Sequence, residues 1–316
     1  MSDLPGRVLI REEGPREGFQ IEAATIPTAD KVRLIEALAE TGLTEVQCVS
    51  FVDPRRVPGM ADADEVARSI RRRPGVRYSC IWLNQRGLER AMQSSLDVLG
   101  ELQCSASETF GLRNSGRDAA AYLAEQRRWL EFYRAHGIAV ESAVVMTAFG
   151  CNIEGEIPPQ RVIERLTPLL DLAAEFDVKV PELTLADTVG WATPRAVSRL
   201  VGAVRERWPD IPVGLHLHDT RGTGLANAFA ALQLGIMAFD ASCGGLGGCP
   251  FAGHKGAAGN ICTEDLVFLC EEMGIDTGID LDRLIECARL AERIVGHPLP
   301  GKVMHGGSLA GYRRAA

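Results

Sequence analysis

No stretch of this 316-residue chain approaches the roughly 18 consecutive apolar residues of a membrane-spanning helix, so no membrane partner is expected. The opening residues, MSDLPGRVLI, lack the charged-then-apolar layout of a secretory signal, and a cytoplasmic, thiol-reducing location is expected. The nine cysteines are odd in number and no two have CxxC spacing, which argues against a zinc knuckle or a disulfide framework. Basic residues are not in excess. A net charge of −8 disfavours a nucleic-acid partner. No G-x-G-x-x-G follows an early strand, so a dinucleotide-binding doubly wound sheet is the weaker of two α/β readings. There is no internal repeat and no low-complexity linker. A composition with 46% hydrophobic and 24% charged residues remains, enough for a sizeable globular core.

That core is patterned as alternating strands and helices. Short apolar or β-branched runs at Val8–Glu12, Glu45–Phe51, Arg77–Leu83, Glu101–Ala106, Ala139–Thr147, Glu182–Ala186, Val213–His218 and Ala238–Cys243 predict eight strands. Amphipathic patterns over Thr28–Thr41, Arg117–His136, Pro159–Phe176, Pro194–Trp208 and Gly224–Leu234 predict helices between them. Eight strand–helix units point to a (β/α)8 TIM barrel. From Thr263 the pattern turns wholly helical, over Thr263–Glu272 and Asp280–Gly296. We therefore expect a catalytic barrel over residues 1–262 and a C-terminal helical extension over 263–316, with a tail from about 297.

In such a barrel, chemistry sits at the C-terminal ends of the strands. The most informative residues there are His216-Leu217-His218 followed by Asp219. Side chains at i and i+2 of a strand share a face, so two imidazoles converge on one point, as metal ligands do. Other strand ends offer Arg16 and Glu17, Gln47, Ser105 and Ser107, Asp187, and Gly259-Asn260. Two imidazoles with the carboxylate of Glu17 and the amide of Asn260 suit a divalent cation, Mg²⁺ or Mn²⁺ on the donor mix, with Zn²⁺ as a further option. Arg16 beside that set can stabilise an enolate or oxyanion. Cys249 differs from Cys48, Cys80, Cys104 and Cys243, which sit in apolar runs as small core residues. It follows Gly244-Gly245-Leu246-Gly247-Gly248, a segment that could bring its thiol to the site as acid, base or nucleophile. His254 and Lys255 in the same loop, with Arg113, Arg117 and Arg221, are candidate anion contacts. His136, His297 and His305 read as helix-end or tail residues.

The segments GPREGFQ, SFVDPRRVPGMADADEV, SASETF, ADTVGWATP, HLHDTRGTGLAN, GGLGGCPFA and GNICTEDLV, in this order, resemble the 3-hydroxy-3-methylglutaryl-CoA lyase family of metal-dependent TIM-barrel carbon–carbon lyases. The likeness runs from about Val8 to Leu284. The resemblance implies cleavage of a tertiary 3-hydroxyacyl-CoA thioester to acetyl-CoA and a keto acid. It implies Glu17, His216, His218 and Asn260 as metal ligands, Arg16 at the enolate, Cys249 as a closing thiol that protonates it, and Gln20 and Asp187 in the pocket. A homodimer is the family-like expectation. An aldolase or synthase on the same barrel, and a thioester-binding paralogue without turnover, are the alternatives.

Departures from the family pattern cluster on the substrate-facing strand ends. Glu17 stands where an Asp is usual, and the extra methylene lengthens it by about 1.5 Å. Ile21 replaces an Asn, Gln47 replaces a second carboxylate, and Arg221 replaces a Tyr. The glycine-rich loop is longer and carries His254 and Lys255. A working lyase with an altered acyl substrate is the expectation, with Gln47 and Arg221 among the residues that meet it.

Overall fold

The computed structural model describes residues 4–22, 26–248 and 259–313. Eight strands form the sheet: β1 (Leu9–Glu12), β2 (Glu45–Phe51), β3 (Arg77–Trp82), β4 (Gly100–Ser105), β5 (Val140–Met146), β6 (Leu183–Ala186), β7 (Val213–His216) and β8 (Ala238–Ala241). Their order is β3-β2-β1-β8-β7-β6-β5-β4, and β1 with β2, β2 with β3, β4 with β5, β5 with β6 and β6 with β7 pair in parallel. At least one helix follows each strand along the chain. This is the (β/α)8 TIM-barrel fold, followed by C-terminal helices.

The chain divides into two compact units. The first is built from Gly6–Val98, Asp240–Gly248 and residues 259–313. It holds β1–β3 and the helices α1 (Gly14–Ile21), α2 (Thr28–Ala39), α3 (Ala63–Ser69) and α4 (Gln85–Gln93). It also holds the C-terminal helices α10 (Thr263–Glu272) and α11 (Leu281–Val295). The second unit, Leu99–Phe239, carries β4–β7 with α5 (Glu108–Ser115), α6 (Ala119–His136), α7 (Pro159–Glu175), α8 (Pro194–Arg207) and α9 (Gly224–Gln233).

Local chemistry explains most of these bounds. Asp118, Thr193 and Asp280 cap α6, α8 and α11 by accepting from backbone N–H groups three residues on. Gly137 and Gly296 end α6 and α11 in the left-handed conformation. The sequence pattern does not reveal α1, α3 and α4, because each is nine residues or shorter and too brief to display a period. Helix α4 starts where Asn84 accepts from the N–H of Gly87.

The segment after Gly296, expected as a tail, is held through residue 306. Asp265 accepts from the N–H groups of Lys302 and Val303, and Met304 is fully buried. Cys48, Cys80, Cys104 and Cys243 are buried as expected, and burial pushes the Cys80 and Cys104 thiols up to about 12. No helix among the described residues is long and apolar enough to cross a membrane.

Two carboxylates inside the first unit carry no exposed surface. Glu12, the last residue of β1, accepts from Gly14 N at 2.7 Å, Cys243 N at 2.9 Å and Thr263 Oγ1 at 2.6 Å. Glu264 accepts from Gly244 N at 2.9 Å, and its other oxygen is buried without a hydrogen-bond partner among the described residues. Burial raises Glu12 to about 7 and Glu264 to about 8. The folded chain thus keeps protons that the unfolded chain, with carboxyls at 4.5, releases. The stability these protons supply is complete below pH 4.5 and is lost as pH rises through 7 and 8. The urea midpoint is expected to fall between about pH 5 and about pH 8.5, and Glu264→Gln to flatten that fall. An unchanged slope in the variant would show that Glu264 does not contribute.

Candidate active site

Each unit contributes its own polar group at the strand ends. In the second unit, β7 runs Val213-Gly214-Leu215-His216, and Leu215 and Leu217 are fully buried. The opposite parity carries the two histidines. Their Nε2 atoms lie 3.2 Å apart with ring centroids 5.0 Å apart, so both rings aim at one point, as the His-x-His spacing predicts. His218 is buried, and His216 is partly exposed.

Asp187 follows β6, whose Ala186 pairs with His216. Its N–H donates to the His216 carbonyl at 2.8 Å. One carboxylate oxygen accepts from Trp191 N at 2.6 Å and Ala192 N at 3.0 Å. The other, Oδ2, is buried without a hydrogen-bond partner among the described residues. Burial lifts this carboxyl to about 6 against the pull of those two N–H groups and of His216. A fixed carboxyl with one spare buried oxygen and a pKa near neutrality is equipped to accept a proton.

Arg221 is exposed. It donates to the carbonyls of Val189 at 3.1 Å and Gly190 at 2.7 Å, and lies over the Trp191 ring. Asp219 accepts from Gly224 N at 2.7 Å and so anchors the start of α9. Ser107 donates from its N–H to Thr147 Oγ1 at 3.0 Å, joining the ends of β4 and β5. Arg117 pairs with Glu125 at 2.6 Å. Arg113 is exposed in the last turn of α5. His136 stacks on Phe132 at the end of α6, His297 meets Glu22 at 2.9 Å, and His305 lies in a short helix, all as expected.

In the first unit, Gly14-Pro15-Arg16-Glu17-Gly18 begins a helix, although its composition reads as a loop. Pro15 suits the first turn, where its missing N–H has no helical partner to lose. Gly18 packs on the glycine-rich segment so closely that a β-carbon there would lie 2.7 Å from Leu246 Cβ. The helical period places Glu13, Arg16 and Gln20 on one side. Arg16 donates to Glu13 Oε2 at 2.8 Å and also to Gln47 Oε1, and it lies 3.6 Å from Glu17 Oε1. Gln20 accepts from Ser50 Oγ at 2.9 Å. Asn260 donates from Nδ2 to Glu17 and to the Leu246 carbonyl. Its Oδ1 is buried and has no hydrogen-bond partner among the described residues. An orphaned amide oxygen beside a carboxylate is a donor set suited to a hard divalent cation.

The structure therefore brings Arg16, Glu17, Gln47 and Asn260 together in one unit, and His216, His218 and Asp187 in the other. Cys249, His254 and Lys255 lie outside the described residues. Sequence reasoning passed over Glu12 and Glu13. The three-residue step from Glu13 to Arg16 was the available signal for the latter, but it is readable only once the segment is known to be helical. Gly18→Ala is expected to cost about 1–3 kcal/mol through its clash with Leu246, read as a lower Tm. An unaltered Tm would mean that α1 and the Leu246 segment can separate freely.

Residues 7–291 match the HMGL-like family model. The chain is 40% identical to the hydroxymethylglutaryl-CoA lyase of Bacillus subtilis over 94% of this chain and 96% of that protein. It is also 40% identical to the (R)-citramalyl-CoA lyase of Chloroflexus aurantiacus, over 94% of this chain and 93% of that one. Among solved structures, it is similar to an HMG-CoA lyase from Acinetobacter baumannii in complex with coenzyme A and 3-methylmalate. That similarity has a TM-score of 0.86 at 37% identity, covering 98% of each chain.

Proposed function

The chain belongs to the HMGL-like family, and on that premise we propose that it is a carbon–carbon lyase acting on a tertiary 3-hydroxyacyl-CoA. Cleavage releases acetyl-CoA and a keto acid. The observation that carries the reading is the convergence of His216 and His218, in a chain 40% identical to two lyases of CoA thioesters. Glu17, His216, His218 and Asn260 would hold a divalent cation, Mg²⁺ or Mn²⁺ by their mix of nitrogen and oxygen donors. The spare Oδ1 of Asn260 supports that assignment. When bound, the cation polarises the substrate hydroxyl and spreads the negative charge of the reaction.

The chain's own groups perform the proton and charge work. Asp187, with its unpartnered Oδ2, takes the proton of the tertiary hydroxyl. The oxygen electron pair becomes the keto C=O, the bond between the α and β carbons of the thioester breaks, and its pair passes to the acetyl thioester as an enolate. Arg16, held by Glu13 and Gln47, stabilises that enolate. Cys249 donates the proton that converts the enolate to acetyl-CoA. Gln20 and Arg221 line the substrate side. A cytoplasmic homodimer is the form in which we expect this to occur.

Gln47 is neutral where a carboxylate is usual, and one of the similar proteins is a citramalyl-CoA lyase. Both features favour testing more than one acyl group. Purified enzyme is expected to release acetyl-CoA from 3-hydroxy-3-methylglutaryl-CoA or citramalyl-CoA. EDTA should stop the release, and Mg²⁺ or Mn²⁺ should restore it. His218→Ala should lower kcat by about a hundredfold or more. Release that survives metal removal, or an unaffected His218→Ala enzyme, would reject the metal assignment. Cys249→Ala separates this reading from an aldolase, which would keep its rate.

A further inference from the structure

Arg16 is buried, and its guanidinium meets a different residue at each nitrogen. Nε donates to Gln47 Oε1, Nη2 donates to Glu13 Oε2 at 2.8 Å, and Nη1 lies 3.6 Å from Glu17 Oε1. Nε and Nη2 form one edge of the guanidinium plane, the edge that a single carboxylate commonly occupies with both oxygens. Here that edge is divided. An amide oxygen from β2 takes one donor, and a carboxylate oxygen from the residue before α1 takes the other. Resting on the lyase reading above, we propose that Glu13 is the positioning residue that directs Arg16 at the enolate and balances its charge. The task requires one negative charge on the divided edge, at position 13 or at position 47.

The side chain of Glu13 does nothing for its own helix. It occupies the N-cap of α1 but makes no capping hydrogen bond. The N–H of Gly14, the first of the helix, is taken instead by Glu12 Oε1 at 2.7 Å. A residue in this place that does not cap gives up the local stabilisation that favours Ser, Thr, Asp or Asn there. Glu13 is only 8% exposed, and its carboxylate is turned onto Arg16 three residues on, a spacing that one helical turn brings together.

Two further carboxylates stand near, and each is engaged elsewhere. Asp240 has an oxygen within 4.8 Å of one on Glu13, but it accepts from Arg11 at 2.7 Å. Glu17 accepts from Asn260 and is a ligand of the cation in the reading above. If the charge on Glu13 is lost, the buried guanidinium is left short of an anion and turns to Glu17, drawing both groups off their tasks. If a second charge is added at position 47, two anions on one edge damp the field at the developing enolate. Moving the charge from one position to the other avoids both faults. Glu13→Gln keeps an oxygen for Nη2, and Gln47→Glu keeps the oxygen that Nε already meets.

Kinetics with 3-hydroxy-3-methylglutaryl-CoA and citramalyl-CoA, and thermal unfolding, test this in four proteins: wild type, Glu13→Gln, Gln47→Glu and the double variant. Glu13→Gln should lower kcat by about thirtyfold and Gln47→Glu by about tenfold, each with KM within about threefold. The double variant should return to within about threefold of wild type, and the Tm lost in Glu13→Gln should return with it. An unchanged kcat in Glu13→Gln, a loss carried by KM alone, or a double variant whose loss is the product of the two single losses would overturn the proposal. If wild type turns over neither thioester, the lyase reading fails and Tm decides the rest. A Tm restored in the double variant then keeps Glu13 as the counter-ion of Arg16, and additive Tm changes reject it.

Discussion

The carboxylate of Glu12 never meets water, and three separate pieces of chain converge on it. It ends β1 and accepts from Gly14 at the start of α1, from Cys243 just before the glycine-rich segment, and from Thr263 at the start of α10. A buried carboxylate is costly unless its lone pairs are filled, so removing any one donor would leave an expensive vacancy. The geometry of the first unit follows from that requirement. Helix α1 delivers Arg16 and Glu17, and the segment before α10 delivers Asn260. Glu264, holding Gly244, adds a second buried carboxyl to the same junction.

Around Arg16 the arrangement concerns charge. Its guanidinium meets Glu13 and lies near Glu17, and its third neighbour is the neutral Gln47. A carboxylate at position 47 would set three anions against one cation and weaken the field that Arg16 offers a developing enolate. With Gln47 there, the amide still fixes the orientation of Arg16 but adds no charge. Glu17 is also oriented, by the Asn260 amide, which leaves the Asn260 carbonyl oxygen spare. The longer Glu17 side chain thus has a defined partner despite its added methylene.

Much of this could be read in the chain. Strand parity alone places His216 and His218 on one face, and their Nε2 atoms do meet. The eight strand runs and the longer helices show in their periodicity, because a buried stripe recurs often enough to be seen. The short helices α1, α3 and α4 do not show, since two turns give no repeat and glycine and proline in α1 suggest a loop. The pairing of Arg117 with Glu125, eight residues away, is not visible in the sequence because Arg117 stands before the first turn of α6 and Glu125 within the helix. The tail after Gly296 looked loose because the carboxylate that pins it, Asp265, is distant in sequence.

Read along the chain alone, the residues give the fold class and the residue types at the strand ends: imidazoles, a carboxylate after an arginine, an amide after a glycine, and a thiol in a glycine-rich run. These depend on local pattern, which a linear chain displays. Which polar atoms are buried, and which are left unpaired, emerges in the folded chain. Glu12 became the junction of its unit, Asp187 and Asn260 kept a spare oxygen, and Gln47 became the neutral neighbour of Arg16. The physical reason is that desolvation and hydrogen-bond saturation are set by groups tens or hundreds of residues apart, and no window of sequence contains them.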